Sequence, residues 1–325
     1  MKTRRLFYED VYIQEFEAIV LSCEEKDGKY HVILNATAFY PEGGGQPADK
    51  GMIDNIPVVD VQYIDGELCH IMESPLEEGA QVVGKIDWNW RFDLMQQHSG
   101  EHIVSGMIHE KYGYENVGFH MGEEIITIDL SGMLTWQQVQ EIEKKVNYYI
   151  WMNQQVNIFY PDERQRKFIP YRSKKELTGE IRLVEFPGAD LCACCGLHVT
   201  HASQIGFVKI LSCKKFRDGV RMEMLSGKRA LDYLSGSTEQ NSQIAVSLSA
   251  KENETKEAVQ RLLDEVYDLK GQLAQEKQKS FEAKAASFAG KGNVLLIEDT
   301  MEAAEVRKCT DSILNTCGGI AALFA

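Results

Sequence analysis

A chain of 325 residues, 44% of them hydrophobic, is long enough for two or three domains with a sizeable core, and it contains no apolar run approaching the ~18 residues of a membrane span. Its N-terminus carries basic residues but no apolar stretch of signal-peptide length. A cytoplasmic location is therefore expected, and the eight cysteines read as thiols or ligands rather than disulfides. The net charge of −14 argues against nucleic acid only as an average, because residues 161–230 hold 14 Lys and Arg against 8 Asp and Glu. Arg164, Arg166, Lys167, Arg172, Lys174 and Lys175 precede a cysteine cluster in that stretch, and Lys214, Lys215, Arg217 and Arg221 follow it. A local basic field of this kind attracts phosphates at short range, and a solvated face without a partner accounts for the charge equally well.

Residues 1–88 read as β-rich. Phe16–Leu21, Tyr30–Leu34 and Val58–Tyr63 are short β-branched and aromatic runs, punctuated by turns at Asp27-Gly28, Asp65-Gly66 and Glu78-Gly79, which suggests a small barrel. Within this region lies Thr37–Gly51, with three consecutive glycines at Gly43, Gly44 and Gly45. Such a run weakens a strand, and it exposes amides that a ligand can approach. It is no P-loop, since no Gly-Lys-Ser/Thr follows, and composition alone is also satisfied by a plain loop.

From Trp88 to Gly113 the apolar spacing becomes helical through Phe92, Met95, Ile103, Met107 and Ile108, with Gly113 as a stop. This helix carries His98-Ser-Gly-Glu-His102. Two histidines four apart share one helix face, about 5–6 Å between Cβ atoms, which suits two ligands on one metal ion. Cys194 and His198 repeat the spacing, and a mixed imidazole and thiolate set favours zinc over magnesium or calcium. The first pair also fits the H-x-x-E-H pattern of a peptidase, with Glu101 as general base and a downstream carboxylate as third ligand. It does not fit H-E-x-x-H, because Ser99 holds the Glu position.

Glu124–Asp129 alternates as a strand, and Thr135-Trp-Gln-Gln138 reads as a capping box opening a helix with Val139, Ile142, Val146 and Tyr149 on one face. Val156–Tyr160 and Ile181–Phe186 read as strands, and Gln204–Leu225 as a hairpin turning at Arg217-Asp218-Gly219. Beyond Gly227, residues 237–288 are rich in Glu, Lys, Gln and Ala. Val259, Leu262, Val266, Leu269 and Leu273 follow a 3-4-3-4 spacing. That helix either pairs with a second copy, which is preferred, or packs on its own chain. Asn293–Ile297, residues 300–316 and Gly319–Ala325 then form a strand, a helix and the start of another strand, as if a further domain were cut short. The expected class is α+β. A β-barrel-like domain occupies 1–88, an α+β domain with the metal site 89–227, a helical or coiled-coil segment 228–290, and a partial α/β domain 291–325.

Three blocks carry a family resemblance. They are Thr37-x-Phe-Tyr-Pro-x-Gly-Gly-Gly-Gln-Pro-x-Asp-x-Gly51, Gln97-His-Ser-Gly-Glu-His102, and Cys194-x-Gly-x-His198-Val with Ile205-Gly after it. In this order they resemble the editing domain of alanyl-tRNA synthetase and its free-standing relatives, the alanyl-tRNA editing proteins of the AlaX type. The C-terminal helix and α/β unit resemble the extension of the long members.

The resemblance implies an esterase acting on mischarged tRNA(Ala), chiefly the seryl ester and secondarily the glycyl one. By position, His98, His102, Cys194 and His198 would hold zinc, which either activates water or anchors the substrate. Thr37 would meet the serine hydroxyl, Gln46 would line the same pocket, and Glu101 would assist water or else sit on the helix surface. The family's Cys-Gly-Gly-Thr-His is here Cys194-Cys-Gly-Leu-His198, so Leu197 gives up any contact made by the threonine side chain. Cys192 and Cys195 are rival thiolates to Cys194, which the spacing prefers, and His201 reads as a bystander. No ATP-binding signature of an aminoacylating domain is present. A non-catalytic tRNA-binding module with structural zinc is the alternative, and a zinc peptidase a further one.

Overall fold

The computed structural model describes residues 2–173 and 179–325, so Lys174 and Lys175 of the basic stretch lie outside the described residues. The chain divides into two compact units, Met1–Ser235 and Gly236–Ala325.

In the first unit six strands close on one another: β1 (Glu15–Lys26), β2 (Lys29–Leu34), β3 (Gly51–Ile53), β4 (Ile56–Ile64), β5 (Glu67–Met72) and β6 (Gln81–Ile86), in the order β1-β2-β5-β4-β3-β6. Along β1 the period-two pattern sends Phe16, Ala18 and Val20 inward between exposed Glu15, Glu17 and Ile19. The β1–β2 and β4–β5 turns place Asp27 and Gly28, and Asp65 and Gly66, at positive φ. Asp-Gly supports that conformation in tight hairpins. Asp54 and Asn55 make a third such turn, between β3 and β4, which lacks the glycine that would have marked it in the sequence.

The helix α1 (Trp88–Tyr112) is capped by Asp87, whose side chain accepts from the Trp90 amide, and ends at Gly113 with φ 70°. It is buried on nearly every side from Leu94 to Ile108, so the apolar spacing understated how central it is. The polar residues between the apolar ones must then find partners. Gln97, for example, bonds both the amide and the carbonyl of Ser226.

Beyond it, β7 (Asn116–Met121) and β8 (Ile126–Leu130) pair antiparallel. The helix α2 (Trp136–Trp151) opens with the Thr135–Gln138 capping box and buries Val139, Ile142, Val146 and Ile150, leaving Tyr149 half-buried. Strands β9 (Asn157–Phe159), β10 (Leu183–Phe186) and β11 (Asp190–Ala193) form an antiparallel sheet, and the hairpin β12 (Val208–Phe216) and β13 (Gly219–Ser226) joins the earlier pair in the order β12-β13-β8-β7.

One hydrophobic cluster runs from Phe7 through Met224, so the regions divided at residue 88 in the sequence share a core within this unit. A buried ion pair ties them as well. Arg91 of α1 binds Asp49 and also donates to the carbonyls of Val11 and Ala38.

The helix α3 (Gly227–Ser247) runs across the division between the units. In the second unit α4 (Thr255–Ala286) precedes β14 (Gly292–Ile297), α5 (Ala303–Cys317) and β15 (Gly318–Phe324), with the two strands parallel. Phe281, Val294, Cys309, Ile313 and Cys317 are buried together there. Val259, Leu262, Val266, Leu269 and Leu273 of α4 are all exposed.

Candidate metal centre

Position 98 is the middle of α1, and there the 3.6-residue repeat places His98 and His102 on one face, with ring centroids 5.2 Å apart. Cys194 and His198 reach them from the loop that leaves β11, so their shared spacing does not come from a helix. The ring of His198 lies 4.4 Å from that of His98 and 4.6 Å from that of His102. One ligand atom from each of the four residues falls within 4.8 Å of all the others.

Each imidazole is oriented from its far side. His98 Nδ1 lies 3.0 Å from Gln46 Oε1, His102 Nδ1 lies 2.8 Å from Asp190 Oδ2, and His198 Nδ1 lies 3.2 Å from Ser99 Oγ. With Nδ1 occupied, the Nε2 atoms of His98 and His198 face Cys194 Sγ, both at 3.5 Å. Tetrahedral coordination with metal–nitrogen bonds of about 2.0–2.1 Å and a metal–sulfur bond of about 2.3 Å separates nitrogen from sulfur by roughly this distance. The donor set therefore fits a metal ion, and each ring already has the outer hydrogen bond that such ligands use.

Electrostatics agree with the geometry. Burial alone would raise the Cys194 thiol, but the charges of His98 and His102 hold it well below its usual range. The amide of Gly196 also donates to this sulfur, at 3.3 Å. Burial works against a charged His102, yet the Cys194 thiolate and Asp190 push it up to about 10. Burial and the two neighbouring imidazoles hold His198 well below its usual value.

Backbone contacts set the position of the 194–198 loop. Arg182 donates to the carbonyls of Cys194 and Gly196, and the Tyr8 hydroxyl donates to the Cys195 carbonyl. Gly196 is required by space, because a Cβ there would sit 2.1 Å from His98 Cε1. Gly106 likewise lets α1 approach β11, since its Cβ would meet the Ala189 carbonyl at 2.3 Å.

The rival thiols face elsewhere. Cys192 groups with His102 and Asp190, on the Nδ1 side of that ring, and burial raises its pKa. Cys195 is exposed, with its sulfur 3.8 Å from the Tyr40 hydroxyl. Leu197 is fully buried in the core, and the atom it turns to the centre is its amide, which donates to Gln46 Oε1 at 2.9 Å.

Glu101 is no surface carboxylate. It is buried and accepts from Ser105 and Asn116. Among the described residues the donors grouped with His98 and His102 around Cys194 include no carboxylate, and Asp190 groups instead with His102 and Cys192. Thr37 lies just after β2, outside the barrel strands, fully buried, its hydroxyl 2.8 Å from Nε2 of His70 on β5 and accepting from the Phe39 amide. None of its described hydrogen bonds reaches the cluster. His201 is exposed.

Asp190, Ser99, Arg182 and His70 were not singled out in the sequence. Asp190 and Arg182 precede the third block closely in sequence, and that nearness is the one signal that could have found them.

Two family models match the chain, and neither covers His98 or His102. A family described as tRNA synthetases class II (A) covers residues 5–90, which include the glycine-rich segment. The threonyl and alanyl tRNA synthetase second additional domain covers residues 181–222, which include Cys194 and His198. The barrel, the α+β layer and the histidine–cysteine centre thus define a protein related to class II synthetases and their additional domains.

The chain is 34% identical over 270 residues to alanyl-tRNA editing protein Aarsd1-B of Xenopus laevis, covering 78% of this chain and 66% of the relative. It is 32% identical over 241 residues to alanyl-tRNA editing protein AlaX-L of Pyrococcus horikoshii, covering 71% and 59%. To the alanine–tRNA ligase of Ignicoccus hospitalis it is 35% identical over 243 residues, covering 71% and 26%. Over most of its length the chain is similar to alanyl-tRNA editing proteins, and it spans less than two thirds of the length of these relatives.

Proposed function

We propose that this chain hydrolyses the ester of tRNA(Ala) mischarged with serine, and less readily with glycine, beside a zinc ion held by His98, His102, Cys194 and His198. The observation that carries the reading is the convergence of three Nδ1-anchored imidazoles on the Cys194 thiolate, with Gln46 of the glycine-rich segment bonded to one of them. Three nitrogens and one sulfur suit zinc. The ion would supply positive charge to the centre. Four protein donors also give it the closed coordination of a structural site, so the hydrolytic work falls on the chain's own groups.

Serine differs from alanine by one hydroxyl, an addition that a synthetase pocket rejects poorly. Thr37 is suited to select it. The His70 Nδ1–H donates to the Val32 carbonyl, and burial holds the ring neutral by pushing its pKa down to about 4, so Nε2 is an acceptor. The Thr37 hydroxyl must then donate to His70, which leaves its oxygen as an acceptor for a serine O–H. Glycine has no hydroxyl to offer. Glu101 is assigned to the same centre as the carboxylate that assists water.

The expected setting is the cytoplasm. No helix among the described residues is long and apolar enough to cross a membrane. The exposed apolar stripe of α4 supports pairing with a second copy of the chain.

The test is deacylation of seryl-, glycyl- and alanyl-tRNA(Ala) by purified protein of measured zinc content. Release of serine, with alanine spared, is the expected result. The closed ligand set also favours a second reading, a tRNA-binding module with structural zinc, and tight binding without turnover would select it.

A further inference from the structure

Gln46 is fully buried, and one end of its amide is fixed without ambiguity. The Leu197 amide, which can only donate, lies 2.9 Å from one terminal atom, so that atom is the oxygen Oε1. His98 Nδ1 lies 3.0 Å from the same oxygen and must therefore carry a proton, with Nε2 turned toward Cys194. The other end, Nε2, is buried without any hydrogen-bond partner. A buried donor of this kind is costly unless something pairs with it. Within the same site Cys195 is exposed and Cys194 half-buried.

We propose that Gln46 does two things at once. Its oxygen positions His98 and the 194–198 loop for the metal, and its Nε2–H₂ holds the carbonyl oxygen of the aminoacyl ester as that oxygen becomes an anion. This rests on the hydrolase reading above. In the step itself a water oxygen bonds to the carbonyl carbon and the carbonyl π electrons move onto the oxygen facing Gln46. Collapse then breaks the bond to the ribose oxygen, which takes one of the water's protons; the other passes to solvent, and serine leaves as its carboxylate. A donor aimed at the developing oxyanion acts more strongly in the transition state than on the ester.

The two roles separate by substitution. Gln46→Glu keeps an acceptor for His98 and Leu197 but has no N–H, whereas Gln46→Leu loses both ends. Zinc affinity by chelator competition, deacylation of seryl-tRNA(Ala), and binding of a non-hydrolysable seryl-amide analogue of the tRNA terminus are measured on all three proteins.

Gln46→Glu is expected to hold zinc within about threefold of wild type, to lose about 10²–10³-fold in kcat, and to bind the analogue about tenfold more weakly. Gln46→Leu is expected to lose zinc affinity by about 10–100-fold. Wild-type turnover and analogue binding by Gln46→Glu would overturn the donor role, and unchanged zinc affinity in Gln46→Leu the positioning role. Should Gln46→Leu fail to fold, the positioning role is decided by whether Gln46→Glu keeps its zinc. A wild-type protein that binds zinc and analogue but releases no serine defeats the hydrolase reading, and the affinities still decide what Gln46 does.

Discussion

Asp190 Oδ2 lies 2.8 Å from His102 Nδ1 although the two residues are 88 positions apart, and the other carboxylate oxygen takes Nε of Arg172 at 2.7 Å. A carboxylate behind a metal-ligating imidazole fixes its tautomer and strengthens it as a donor. Asp190→Asn should therefore lower zinc affinity by about 10–100-fold while leaving all four ligands in place. Chelator competition measures this directly, and an unchanged affinity would show that the contact is only structural.

Only one of the three neighbouring thiols converges with the imidazoles. Cys194→Ser should release zinc and lower the melting temperature, because metal bound to the folded state alone stabilises it by mass action. Cys195→Ser should keep a full equivalent of zinc. Metal content after gel filtration, read for both variants, decides between Cys194 and its exposed neighbour.

Thr37→Val keeps the shape of the side chain and removes the hydroxyl. The buried Nε2 of His70 loses its partner, so a stability cost of about 1–3 kcal/mol is expected. Stability does not move a ratio measured on one protein, so the informative quantity is kcat/KM for the serine ester over that for the alanine ester. That ratio should fall about tenfold or more. A ratio equal to wild type would remove Thr37 from substrate recognition.

His70 also gives the fold a pH dependence of defined sign. Burial lowers its pKa from 6.5 to about 4, so the unfolded chain takes up a proton at a pH where the folded protein does not. Its contribution is complete above about pH 6.5 and is lost as pH falls toward 4, by up to about 3 kcal/mol. Urea unfolding of wild type and His70→Gln at pH 7 and pH 4.5 isolates it. The stability difference between the two proteins should shrink at the lower pH, and a constant difference would contradict the assignment.

What the sequence determined by itself is what neighbouring residues dictate to one another. The Asp27-Gly28 and Asp65-Gly66 turns, the Thr135–Gln138 box, the Gly113 stop and the shared face of His98 and His102 all follow from local backbone geometry. Tertiary structure alone decided which atoms stand behind the ligands. Gln46, Asp190 and Ser99 lie 52, 88 and 99 positions from the histidines they orient. It also decided that α1 is buried all round and that Glu101 is an interior carboxylate. Apolar periodicity reports which face of an element is turned inward, whereas a buried polar side chain has the same letter as a solvated one until the distant strand that satisfies it is in place.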